Sequence, residues 1–137
     1  MSYGMAAALQ KAVYELLVTD PGLTALIADR VYDAMPAGPV AGTFVSIGPE
    51  DVRDSSDVTG AGAVHRFTVS VVSEDDGFAA IKTVAAAVDD ALKDAAPSLD
   101  RGRLVGLWFE RASAKRTGQA ERIRRIDLRF RARVEDD

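Results

Sequence analysis

Apolar residues recur at helical spacing from Met5 to Val18: Met5, Leu9, Val13 and Leu16 share a stripe that Leu17 widens. The spacing predicts an amphipathic helix with one buried face. Immediately after it, Thr19 or Asp20 can cap a second, short helix with Pro21 at its first position, where the missing N–H costs nothing. Leu23, Leu26 and Ile27 then fall on one side. Asp29 and Arg30 break that pattern, and Val31-Tyr32 opens a strand-prone segment. It stops before Met35-Pro36, because the residue preceding a proline is pushed out of helical geometry. Gly38 to Gly42 reads as a flexible connection, and Thr43 to Ile47 as a strand.

Further along, the period changes twice. Val64 to Ser73 alternates, with His65, Phe67, Val69 and Val71 on one face and Arg66, Thr68 and Ser70 on the other, as in a half-buried strand. From Asp76 or Gly77, Phe78, Ile81, Ala85, Val88 and Leu92 fall three and four apart, predicting a long helix that packs on the sheet. Pro97 and the Ser98 to Gly102 cluster end it. Leu104 to Phe109 is strongly β-prone and includes Trp108, and Thr117-Gly118-Gln119 marks a hairpin turn. The segment between the two strand predictions, Pro49 to Ala63, has no apolar period and is expected to be a long exposed, flexible loop. Its Glu50, Asp51, Arg53, Asp54 and Asp57 are candidates for contact with a neighbouring copy. The expected fold is α+β: one domain over 1–137, with a mixed or antiparallel sheet of four or five strands and two main helices on one face.

The last strand carries the sharpest pattern. Ile126, Leu128, Phe130, Ala132 and Val134 alternate with Arg125, Asp127, Arg129, Arg131 and Arg133, so one face is apolar and the other bears four arginines. Like charges at two-residue spacing repel, and a cross-strand acid such as Glu110 offsets part of this. A partner for that face is therefore expected: an acidic neighbouring subunit, an acidic ring above or below, or DNA phosphates. The planar fork of arginine suits carboxylate and phosphate alike. Arg125, Arg129, Arg131 and Arg133, with Lys115 and Arg116 on the preceding strand, are the candidate interface. The competing reading is a solvated, salt-screened surface.

Charge along the chain sharpens this picture. Residues 1–100 carry 6 Lys/Arg against 15 Asp/Glu, a net of −9. Residues 101–133 carry 11 against 3, a net of +8, and the last four residues add −3. Such separation favours head-to-tail association or docking on a charged partner. There is no cysteine, so neither disulfides nor thiolate metal sites are available. The first 20 residues lack the pattern of a signal peptide, and no stretch approaches the ~20 apolar residues needed to span a bilayer. The expectation is a protein soluble and cytoplasmic until assembled, with no membrane partner.

Catalytic chemistry finds little support. His65 shares parity with Phe67 and Val69, which suits a partly buried structural histidine better than a general base. Asp75-Asp76 sits where a helix cap is needed, and Asp89-Asp90 on the exposed side of a helix. No histidine-carboxylate cluster suggests a metal, and Gly60-Ala61-Gly62 lacks the following Lys-Ser/Thr of a phosphate loop. The chain reads as a protein with no enzymatic function, no cofactor and no metal.

The order of these pieces resembles the tail-completion or tail-terminator proteins of long-tailed, non-contractile bacteriophages and gene transfer agents. The pieces are Leu16-Leu17, Asp20-Pro21-Gly22-Leu23-Thr24-Ala25-Leu26, Arg30-Val31-Tyr32-Asp33 closing on Pro36, and Phe44-Val45-Ser46-Ile47-Gly48. A charged loop, the Phe67 to Val72 strand, the Gly77 to Leu92 helix and two closing strands complete them. The family tends to have a proline directly before the aromatic-valine pair, where this chain has Gly42-Thr43, with Pro39 further upstream. The resemblance implies a structural virion protein whose copies close into a homo-hexameric ring. That ring caps the tail tube, ends its polymerisation, and joins it to the head-tail connector or stopper. Implied partners are the chain itself, the major tail tube protein and the connector, with DNA passing through the lumen without sequence-specific binding. Two alternatives stand beside it: another neck component, and a small nucleic-acid-binding domain using the arginine strand. Against the latter, that face lacks exposed aromatics that stack bases, since Phe130 points the other way and Trp108 is flanked by apolar residues.

Overall fold

A computed structural model describes residues 3–38, 40–56 and 61–137. After a 3-10 turn at Tyr3–Met5, helix α1 spans Ala6–Thr19 and buries Leu9, Val13 and Leu17, with Met5 completing the stripe. Asp20 interrupts the helical path. Its extended backbone ends α1, and its carboxylate accepts from the Leu23 N–H at 2.9 Å, capping α2 (Pro21–Ile27) with Pro21 at the first position. Leu23 and Ile27 are fully buried, whereas Leu26 remains 43% exposed.

Five strands form one mixed sheet: β1 (Val31–Tyr32), β2 (Phe44–Asp54), β3 (Gly62–Ser73), β4 (Arg103–Thr117) and β5 (Ile123–Glu135). Their order is β1-β2-β3-β5-β4, parallel only between β1 and β2. Helix α3 (Phe78–Leu92) returns from β3 across the sheet and buries Ile81, Val84, Ala85, Val88 and Leu92. All three α-helices share a core with the inward side chains of the sheet, from Val45, Val69 and Val71 to Ile126, Leu128 and Phe130. Among the described residues, no helix lies over the opposite sheet face. The β4–β5 hairpin turns through Gly118, whose φ of +77° lies where glycine is favoured.

Two sequence expectations are overturned here. The long loop expected over Pro49 to Ala63 is mostly strand: β2 continues to Asp54 and β3 starts at Gly62, paired from Phe44↔Val72 to Asp54↔Ala63 with a bulge at Pro49. An edge strand with one solvated face can carry Pro, Glu, Asp and Arg, because the backbone ladder to β3 rather than an apolar period holds it in place. Asp57 lies outside the described residues. Nor do Asp75 and Asp76 cap α3. Gly77 precedes the helix with no side-chain cap, while Asp75 accepts from the Gly42 N–H at 2.9 Å and Asp76 from the Thr43 hydroxyl at 2.6 Å. These acids fasten the entry of β2 instead.

Candidate functional site

The sheet face away from the helices gathers the basic residues. Strand pairing sets Lys115 opposite Arg125, Arg111 opposite Arg129, Trp108 opposite Arg131, and Arg66 of β3 on the other side of Arg131. Directly paired residues share a face, so Arg125, Arg129, Arg131, Arg133 and Lys115 do come together, joined by Arg66 and Arg111. Arg116 does not join them: it pairs with Arg124, one residue out of phase, on the helix side. From β2, Asp51 and Arg53 share the basic face, opposite Arg66 and Val64. Glu50 turns to the helix side, where it accepts from the Tyr3 hydroxyl at 2.8 Å and lies 3.9 Å from Nδ1 of the fully buried His65. Asp54, opposite buried Ala63, accepts from the Ser56 hydroxyl.

The charges on this face do not cancel. Its bases are Arg53, Arg66, Arg103, Arg111, Lys115, Arg125, Arg129, Arg131 and Arg133, and its acids are Asp51, Glu110, Asp127 and Glu135. Glu110, placed by a β-bulge in β4, lies 3.3 Å from Arg66 and 3.8 Å from Arg129. Asp127 accepts from Arg125 at 2.8 Å and from the Ser70 hydroxyl at 2.7 Å, with Lys115 at 3.5 Å. Arg133 donates to the backbone and side-chain oxygens of Ser55, tying β5 to the end of β2. Among the described residues, neither Arg111 nor Arg131 has a carboxylate partner. A shallow depression of about 280 Å³ opens between Thr68, Arg111, Ser113, Lys115, Arg125 and Arg129, with Asp127 as its one acid.

Burial alone would raise the Asp127 carboxyl, but the Ser70 and Arg125 hydrogen bonds outweigh it and hold it below the usual aspartate range. A folded-state value below the unfolded one adds stability above the unfolded value, near pH ~4. That contribution disappears as pH falls through the folded value. Asp127→Asn is therefore expected to be less stable by about 1–2 kcal/mol at pH 7. The gap should narrow on acidification below the ordinary aspartate range, as read by denaturant melts across pH.

Trp108 overturns the expectation that the basic face lacks an exposed aromatic. It is 45% exposed on the basic face, and the Arg131 guanidinium carbon lies 4.8 Å from its ring centroid. A Cβ on Gly106 would come within 2.4 Å of the indole, so this glycine two residues earlier gives the ring its space. The buried Nε of Arg131 has no hydrogen-bond partner among the described residues, and its guanidinium lies over the indole. The face therefore does present an aromatic, and the Gly-x-Trp spacing on one strand side was the signal for it. Among the described residues there is also no cluster of metal-ligating side chains and no helix long and apolar enough to cross a membrane.

Comparison with known proteins gives this face its context. No curated protein matches the chain. A solved structure described as the virion of a native gene transfer agent particle contains a chain 61% identical to this one. The match covers 98% of this chain and 99% of that one, with a TM-score of 0.90. The tail completion protein gp17 family matches residues 11–135, nearly the whole of the fold described above. The chain belongs to the tail completion protein gp17 family, whose members are structural components of the virion.

Proposed function

We propose that copies of this protein close into a homo-hexameric ring at the head-proximal end of a tail tube. The ring ends tube polymerisation and joins the tail to the head connector or stopper. The observation that carries this reading is the near full-length likeness to a chain of a gene transfer agent virion, within a family defined by tail completion. The task is interface work and needs no catalytic centre: one surface matches the last ring of the tube, and another meets the connector. The basic face suits the first role. It offers cations in excess of its own carboxylates, so an opposing ring or neighbour with exposed acids gains charge-assisted hydrogen bonds there. Arg125, Arg129, Arg131, Arg133 and Lys115 are the proposed contacts, with DNA passing through the lumen without sequence-specific binding. The protein would act in the cytoplasm during assembly and then in the tail or neck of the particle.

Deletion of the gene in producer cells, followed by electron microscopy, tests this directly. Filled heads without tails, beside free tubes of irregular or excessive length, are the expected result. Normal tailed particles would overturn the reading. Trp108 and Arg131 favour a second reading, nucleic-acid binding, which has its own test: a steep loss of DNA affinity with salt would support it, and weak, shallow binding would count against it.

A further inference from the structure

The surplus charge of the basic face is not spread evenly over it. Nine bases against four acids leave five cations in excess. Each acid has one nearest base: Arg53 lies 3.4 Å from Asp51, Arg66 3.3 Å from Glu110 and Arg125 2.8 Å from Asp127, and Arg103 donates to Glu135. Of the five bases left over, Arg133 is held by Ser55 and Arg131 lies over Trp108. The other three, Arg111, Lys115 and Arg129, all line one depression of about 280 Å³.

Strand register produces this concentration. Thr68, Arg129 and Arg111 form one row across β3, β5 and β4; Ser70, Asp127 and Ser113 form the next, and Val72, Arg125 and Lys115 the third. Asp127 serves the third row, accepting from Arg125 and lying 3.5 Å from Lys115. The first row has no carboxylate of its own. Glu110 is nearer to Arg66 than to Arg129, from which it is 3.8 Å away, and Arg111 has no acid partner among the described residues. The hydroxyls of Thr68 and Ser113 add donors to the lining, with Pro49 at the β2 side.

We propose that this depression seats one carboxylate side chain of the protein that docks on the basic face, held by Arg111 and Arg129 with Lys115 beside them. The seat rests on the docking reading above and gives it one defined point of contact. The planar forks of two arginines match the two oxygens of a carboxylate in fixed directions. A nucleic-acid strand fits less well. Its charge repeats along its whole path, whereas Asp51, Glu110, Asp127 and Glu135 interrupt the cations of β2, β4 and β5.

Carbodiimide treatment of purified tailed particles tests the seat, because it joins an amine to a carboxylate in contact with it, forming an amide as the carbodiimide takes up the water. Lys115 supplies one amine, and Arg111→Lys supplies a second while keeping the charge. Mass spectrometry of species larger than the monomer is expected to find one or both positions linked to a carboxylate of another chain. Links only within the monomer, or none at either position, would overturn the seat. In parallel, Arg111→Gln should reduce tailed particles tenfold or more without altering the melting of the isolated chain. Arg103→Gln removes the same charge from the same face outside the depression and should leave the yield at wild type; equal yields from the two variants would overturn the seat. A DNA affinity that falls steeply with salt and is lost in Arg111→Gln would assign the depression to phosphate and overturn the carboxylate. Normal tailed particles after gene deletion would instead overturn the docking reading itself.

Discussion

Phe130→Ala is expected to destabilise the isolated chain by about 3–5 kcal/mol, the range for removing a fully buried phenylalanine from a core that cannot collapse around the gap. Phe130 is 1% exposed on β5. It stacks on Phe67 of β3 at 5.7 Å between centroids and meets Phe109 of β4 edge-on at 5.9 Å. One side chain thus joins three adjacent strands, and loss of both ring contacts adds to the loss of burial. Urea denaturation followed by circular dichroism should show a lower midpoint with an unchanged slope, and heating a fall in Tm of about 10–20 °C. A loss below about 1 kcal/mol would mean that the hairpin is held by its backbone ladder rather than by this cluster. Phe109→Ala provides the contrast: half-exposed, it should cost far less stability.

The second large effect falls on assembly with folding left intact. Arg129→Glu/Arg131→Glu lowers the net charge of the basic face by four, from nine bases against four acids to seven against six. Arg129 is half-exposed and only 3.8 Å from Glu110, so its loss costs the monomer little. Arg131 gives up its contact with Trp108, and Arg66 lies opposite to receive the new carboxylate. Thermal melting should shift by a few degrees at most. Tailed particles should fall tenfold or more, since close interfacial charge pairs are worth about 1.5 kcal/mol or more each. Wild-type assembly at physiological salt would exclude this face as a docking surface. Lys115→Glu should act in the same direction, and Arg116→Glu much less, because Arg116 points to the other side of the sheet.

Much of the architecture was legible in the sequence because it rests on short-range rules. The stripe of Met5, Leu9, Val13 and Leu16 widened by Leu17, the Asp20-Pro21 cap and the alternation of β5 each depend on residues close in the chain, and each is realised, with Leu16 only partly buried. The basic face was legible in β5 for the same reason. Arg66 and Arg111 were not, since only the antiparallel register brings them beside Arg131 and Arg129. Arg116 was wrongly grouped with that face: it directly follows Lys115 in β4, and successive side chains of a strand point to opposite sides. Glu50 was expected in a loop, but the ladder of β2 to β3 sets it opposite Phe67 on the helix side.

The same distinction separates the two surfaces of the molecule. By itself the sequence determined the α+β class, one apolar and one arginine-bearing side of the last strand, and a likeness to tail-completion proteins, all carried by local periodicity and motif order. Only the tertiary structure decided that β2 runs on through its charged half, that Trp108 lies under Arg131, and that Arg111, Lys115 and Arg129 line one depression. Each of these depends on which strands pair and where a bulge falls. Those are relations between residues tens of positions apart, and no local pattern encodes them.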